Sequence, residues 1–445
     1  MIPQTIEVGE RLTLRLCQTE KFKTEMLSLS ATLPIQRDQT YLTSLLLSVL
    51  LRGSERYPTV SAINRRLDYL YGTELSVRNF YRGDSQVFGL CANVLGKDYI
   101  TDQAAAETLL SQVVGLMREL LFSPALDENG LLNAHYVESE KQLQCDTIRA
   151  RKNHPHGYAL DCCRRLMYEN EPCGVSIYGT EEEVMRVTPE VLTAHWRTLC
   201  KDLHLHAFYV GASDAESVKL TLATAFETTP NPVEANTPTG AVISLTDPAS
   251  IRPHTPTLVR EEELAVKQGQ LVLGLRTGAA IQSEDFFACA LFNELLGASP
   301  VSKLFVNVRE KLGLCYSCSS AYNAYKASIL ISCGIENENR ELAEREILAQ
   351  INAIAAGAFS DEEWNAAQKS MENAYRQLED SPVGMENYYF GRALVGLSVD
   401  PTLACARFAA LKREDVMRVA KGTQVDTVFF LRQVGGEEEV CDDED

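Results

Sequence analysis

The sequence predicts an α+β protein built from a unit that occurs twice. Three observations carry the prediction. The order of strands, helices and hairpins in the first half recurs in the second over about 200 residues, the mark of a duplicated fold. Each half contains a run of alternating residues folded about a tight turn. Proline gathers between the halves, at 230, 232, 238, 248, 253 and 256, where a stiff, extended chain suits a boundary.

Element by element, residues 12–33 read as strands, and residues 39–51 as an apolar helix. Residues 65–71 continue helically. A hairpin follows over 74–95, with Arg82-Gly83-Asp84 as its turn, since glycine tolerates the backbone that reverses a strand. Helical periodicity marks 102–121 and 129–151, and 153–179 reads as irregular. A helix over 189–200 and a strand over 203–210 close the half. The second half runs from a strand at 264–275 to a helix at 285–296, which 301–311 extends. Strands 315–325 and 328–335 then form a hairpin around Tyr325-Lys326-Ala327. Helices at 337–356 and 361–378 and a strand at 427–433 complete it.

The formal net charge of −19 excludes nucleic acid as a partner class, because phosphates require a basic surface. Seven of the last nine residues are acidic, a run that repels itself into a solvated, disordered tail. The remaining acidity reads as ordinary solubility. No apolar stretch nears the roughly 20 residues of a membrane-spanning helix. The N-terminal MIPQTIEVGERLTL has no basic segment followed by an apolar one, so no export signal is expected. Thirteen scattered cysteines, an odd number, then read as free thiols in a reducing cytoplasm.

Five local patterns stand out, in chain order. They are a helix ending Arg52-Gly53-Ser54-Glu55, the run Val137-Glu138-Ser139-Glu140-Lys141, the segment Tyr178-Gly179-Thr180-Glu181-Glu182, the strand end Phe208–Gly211, and Val308-Arg309-Glu310-Lys311-Leu312-Gly313-Leu314-Cys315-Tyr316. Together, and across nearly the whole chain, they resemble the pitrilysin/insulinase-like zinc peptidases, the inverted zincins. The resemblance implies two domains of LuxS/processing-peptidase-like topology, each an antiparallel-rich sheet with helices packed on one face, related by a pseudo-twofold axis. The boundaries expected are a peptidase-like domain over 1–230, a proline-rich linker over 231–257, a second peptidase-like domain over 258–436 and an acidic tail over 437–445.

In that family the helix before the Arg-Gly-Ser frame carries H-x-x-E-H. Two histidines at i and i+4 share a helical face and bind zinc, and the glutamate acts as general base on zinc-bound water. Matching Gly53 to the frame's glycine puts the histidine positions at Ser44 and Ser48 and the glutamate at Leu47. The family's E-K-x-x-V-x-x-E-I pattern, counted from Glu140, puts the last ligand at Thr147. None of the four suits zinc chemistry: the hydroxyls are poor ligands beside imidazole or thiolate, and Leu47 cannot accept a proton. No metal or other cofactor is therefore expected in this chain.

Other candidate ligands read as structural. His204 and His206 alternate along a strand and face one side, as two half-buried imidazoles would. Cys315 and Cys318 form a C-x-x-C on a strand. A zinc ribbon wants a second such pair and a redox pair wants a helix N-terminus, so neither reading fits.

The resemblance also implies a role for Arg309 and Tyr316. Matching residues of the family contact the substrate near the scissile carbonyl. Arginine offers fixed donors, and a tyrosine hydroxyl can stabilise a developing oxyanion. Some members work as heterodimers in which one chain carries zinc and the other supplies this pair. The segment Leu67–Gly72 resembles the branch of Gram-positive bacteria named for association with elongation factor P modification, whose members occur beside a zinc-bearing partner. The expected function is the non-catalytic subunit of a cytoplasmic heterodimeric zinc metallopeptidase. It would close the chamber and bind peptide opposite an H-x-x-E-H homologue, which alone would hold the zinc. A homodimer in isolation is compatible with such a fold, and neither nucleic acid nor membrane is an expected partner. Two alternatives stand beside this: a peptide- or protein-binding scaffold without a proteolytic role, and an independent metallopeptidase with an unrecognised site.

Overall fold

The computed structural model describes residues 2–227, 243, 245 and 253–434. Most of the expected linker 231–257 and all of the expected tail 437–445 lie outside the described residues.

The chain forms two compact units, each discontinuous in sequence. The first takes residues 1–149, 175–244 and 377–400; the second takes 150–174, 245–376 and 401–445. The expected continuous spans thus differ from the compact units by one segment on each side.

The first unit holds a six-stranded sheet. Its strands are β1 (Gln4–Glu7), β2 (Leu12–Gln18), β3 (Thr24–Pro34), β4 (Glu74–Arg82), β5 (Ser85–Leu95) and β6 (Leu205–Gly211), in the order β1-β2-β6-β3-β5-β4. All neighbours are antiparallel except β2 and β6. On β3 the odd residues Leu27, Leu29 and Ala31 face the main core, where the helices Thr40–Leu50, Gln103–Phe122 and Ala215–Phe226 bury their apolar stripes. The even residue Ser28 instead meets Glu386 on the helix Pro382–Ala393, which covers the second face of the sheet.

The second unit repeats the plan with five strands: β7 (Leu258–Leu264), β8 (Gly269–Arg276), β9 (Cys315–Asn323), β10 (Ser328–Ile335) and β11 (Gln424–Gln433). Their order, β7-β11-β8-β10-β9, matches β2-β6-β3-β5-β4 place for place. The single parallel contact, β7 with β11, falls at the equivalent position. This is the duplication that the sequence predicts, and both units are α+β with antiparallel-rich sheets. Leu271, Leu273 and Leu275 face the main core with the helices Phe286–Asn293, Arg340–Ala355 and Arg413–Gly422. Val272 faces the other way, against Ala159, Cys162 and Cys163 of the helix Pro155–Met167.

Three expectations change at this level. Residues 153–179 are not irregular, because the helix Pro155–Met167 forms there with Pro155 in its first turn, where a missing N–H is harmless. The strand expected over 264–275 is two strands, β7 and β8, separated by residues 265–268. Residues 304–311, expected as helix, form wide π-helical turns.

Candidate functional site

In the first unit, three of the five stretches meet around the helix that carries Ser44. The helix Thr40–Leu50 buries Thr40, Leu42, Thr43, Ser44 and five further residues against the sheet. Its exit is fixed by the Arg-Gly-Ser frame. Arg52 makes an ion pair with Glu140 of the helix Ala134–Ala150. A Cβ on Gly53 would lie 2.5 Å from the Pro58 carbonyl oxygen, so only glycine fits there. The Ser54 hydroxyl accepts from the Tyr57 N–H at 3.0 Å and tightens the turn. The Tyr178–Glu182 segment closes over the same helix. Gly179 has φ +68°, and a Cβ there would meet Tyr41 at 2.8 Å. Thr180 and Glu183 form a reciprocal capping box. Gln144 donates to the Tyr178 carbonyl at 2.9 Å, and Arg149 pairs with Glu181 at 2.6 Å.

At the centre, Ser44 is buried and its hydroxyl is saturated. It donates to the Ile177 carbonyl at 2.5 Å and accepts from Asn79 Nδ2 at 2.8 Å and Gln86 Nε2 at 3.3 Å. A hydroxyl has one proton and two lone pairs, so nothing remains for a metal ion. Leu47 is buried and lines a small apolar cavity with Leu29, Leu46, Leu50, Phe88 and Trp196. A carboxylate in that setting would lose its hydration without a partner. Ser48 is half-buried. Thr147 is exposed and donates to the Leu143 carbonyl at 2.9 Å, one turn back on its own helix. The family's zinc therefore does not fit these four side chains: the donor set holds no imidazole and no carboxylate, and its buried hydroxyl is already committed. Asn79 and Gln86, the partners of Ser44, carry no signal of this role in the sequence beyond being polar on otherwise alternating strands.

His195 and His204 are half-buried imidazoles and His206 is a buried one. His204 Nε2 lies 2.8 Å from Thr13 Oγ1, and His206 Nδ1 accepts from Arg15 at 3.2 Å. Their rings are 5.1 Å apart, His206 on β6 and His204 just before it. Burial, then Arg15 and His204, hold His206 down to about 3. Burial alone holds His195, whose Nε2 lies 2.9 Å from Thr43 Oγ1, down to about 4.

In the second unit, Arg309 and Tyr316 flank a tight turn. Arg309 lies in the π-helical segment Leu304–Lys311, its guanidinium 4.5 Å from the centre of the Phe305 ring. Gly313, at φ +60°, reverses the chain, and its N–H donates to the Arg309 carbonyl at 3.1 Å. Tyr316 follows on β9, the outermost strand of its sheet, with its side chain 80% exposed. A phenol presented to solvent from a sheet edge can meet a ligand without rearrangement of the core.

A family profile described as "Peptidase M16 inactive domain" matches residues 186–371. The chain is 28% identical over 425 residues to the "Probable inactive metalloprotease YmfF" of Bacillus subtilis (strain 168), covering 96% of each protein. Its fold is similar to the crystal structure of a conserved protein from Enterococcus faecalis V583, with TM-score 0.85 and 20% identity, covering 98% of this chain and all of that one. It is also similar to that of a protease from Helicobacter pylori, with TM-score 0.78 and 16% identity, covering 97% of this chain and 100% of the other. By profile, sequence and fold the chain is similar to M16 peptidases, and both the matching profile and the Bacillus subtilis relative are described as inactive.

Proposed function

We propose that this chain is the non-catalytic subunit of a two-chain zinc peptidase, binding peptide opposite an H-x-x-E-H partner. The observation that carries the reading is a contrast between its units. The helix that holds zinc elsewhere in the family is closed around a saturated serine, whereas the Arg309–Gly313–Tyr316 turn keeps its phenol exposed. Peptide would add as a strand to a sheet edge. There, main-chain hydrogen bonds give affinity with little sequence bias. The edge strands β4 and β9 suit that mode: β4 carries Asn79 beside the closed site, and β9 carries Tyr316. Tyr316 would donate to the carbonyl oxygen as negative charge develops, and Arg309 would hold the peptide backbone. The twelve described cysteines are free thiols, which suits the cytoplasm as the place of action.

The test is reconstitution. This chain is mixed with a zinc-bearing homologue from the same genome, and peptide cleavage is followed with wild type, Arg309→Ala and Tyr316→Phe. Cleavage that needs both chains and falls by tenfold or more in the variants supports the reading. Cleavage that is unchanged in both variants removes the assigned roles. A stable complex with some other protein, and none with the homologue, would make the chain a scaffold.

A further inference from the structure

One side-chain cluster lies outside everything above. Cys315, Cys318 and Cys333 bring three sulfurs within 4.8 Å of one another at the start of the β9–β10 ladder. Cys318 and Cys333 are direct cross-strand partners and are buried. Cys315 stands three residues before Cys318, and in a regular strand that odd spacing would put the two thiols on opposite faces. The ladder, however, shifts register between Gly334 and Ile335, so that Cys315 rather than Tyr316 stands opposite Ile335. The extra residue returns Cys315 to the face of the other two thiols and leaves Tyr316 turned out to solvent. A C-x-x-C that is unpromising on a strand thus gains a third thiol, and a common direction, from a single bulge.

We propose that Cys315, Cys318 and Cys333 form a binding site for a thiophilic d10 cation, Cu+ or Zn2+. A metal–sulfur bond of about 2.3 Å in a trigonal site sets sulfurs about 4 Å apart, so the cluster needs to close by less than about an ångström. Soft thiolates select this class of ion. Cu+ is satisfied by three sulfurs, and Zn2+ would add one solvent ligand from the side of Cys315, which is half-buried and gives an entry path. Arg309 lies within electrostatic reach of Cys315. The Arg309 charge would also offset the net negative charge of three thiolates around one cation. A bound ion would tie the first residue of β9 to β10, one position from Tyr316.

The test uses the full chain, reduced and stripped with a chelator. Cu+ is supplied from a chromophoric Cu+ chelator in one arm, and Zn2+ from a chromophoric Zn2+ chelator in the other. Native mass spectrometry gives the stoichiometry. The variants are Cys315→Ser, Cys333→Ala and, as a control on an unrelated thiol, Cys200→Ser. The expected result is one ion per chain in wild type and Cys200→Ser, with affinity at least a hundredfold weaker in Cys315→Ser and Cys333→Ala. Retention in one arm alone supports the site and identifies its ion. No retention in either arm, or equal retention in wild type and Cys315→Ser, overturns it. If Cys333→Ala does not fold, the half-buried Cys315→Ser decides alone.

Discussion

The side-chain amide of Asn79 donates to the buried Ser44 hydroxyl at 2.8 Å. Ser44→Ala would leave the Asn79 amide and the Ile177 carbonyl without this partner. The expected loss is about 1–3 kcal/mol of unfolding free energy, measured by urea denaturation. Ser44→His should destabilise further, since the imidazole must also displace neighbours from a packed site.

A buried ion pair joins Arg78 on β4 to Glu386, whose carboxylate is fully enclosed and also accepts from the Ser28 hydroxyl at 2.5 Å. Arg78→Ala strands a buried carboxylate and should cost about 3–5 kcal/mol in chemical denaturation. Replacing both partners together, with Arg78→Met and Glu386→Leu, should recover most of that loss. A double variant as unstable as the single one would mean that the packing, and not the charge, is what matters.

The two depressed histidines give stability a defined pH dependence. In the unfolded chain each titrates near about 6.5. In the folded protein His195 is held to about 4 and His206 to about 3. Their contribution is full above pH 6.5 and is lost as pH falls toward the folded values, because the unfolded state takes up the proton first. Each group adds at most about 1.4 kcal/mol per pH unit to that slope. His206→Gln should therefore flatten the acid limb of a stability–pH curve below pH 6.5 and leave its slope above that pH unaltered.

Gly313 has φ +60° with nothing within 4 Å of where a Cβ would stand. Gly313→Ala should cost about 1–2 kcal/mol from the left-handed backbone alone. Thermal unfolding would check it, and a near-zero change would show that the turn relaxes.

Tyr316→Phe should leave the unfolding midpoint within the spread of surface substitutions, about 0.5 kcal/mol, because the side chain is 80% exposed. Arg309→Ala loses its stacking on Phe305, about 0.5–1 kcal/mol. Any larger effect of either variant in the reconstituted peptidase then belongs to ligand handling and not to folding.

Much of the architecture was legible because its signals are local. Arg82-Gly83-Asp84 and Tyr325-Lys326-Ala327 announce two hairpins, and both form. The helix Thr40–Leu50 follows from its apolar run. What escaped depends on distant partners. The helix Pro155–Met167 carries Gly157 and adjacent Cys162 and Cys163, and it is stabilised by packing on β8 and β11, about which its own sequence is silent. The helices Pro382–Ala393 and Pro401–Ala410 likewise lack a strong local stripe. At the site, the identities of Ser44, Leu47, Ser48 and Thr147 could be read directly, but the saturation of Ser44 by Asn79 and Gln86 could not. Nor could the approach of Cys333 to the C-x-x-C, since a register shift has no compositional mark.

The place-for-place match of strand orders puts β4 and β9 at equivalent ends of their sheets. Each repeat therefore ends in a strand with one edge unpaired among the described residues, one beside the buried Ser44 and the other bearing Tyr316. A duplicated sheet can thus keep its edges while the side chains beside them diverge, as Asn79 on β4 and Tyr316 on β9 have done.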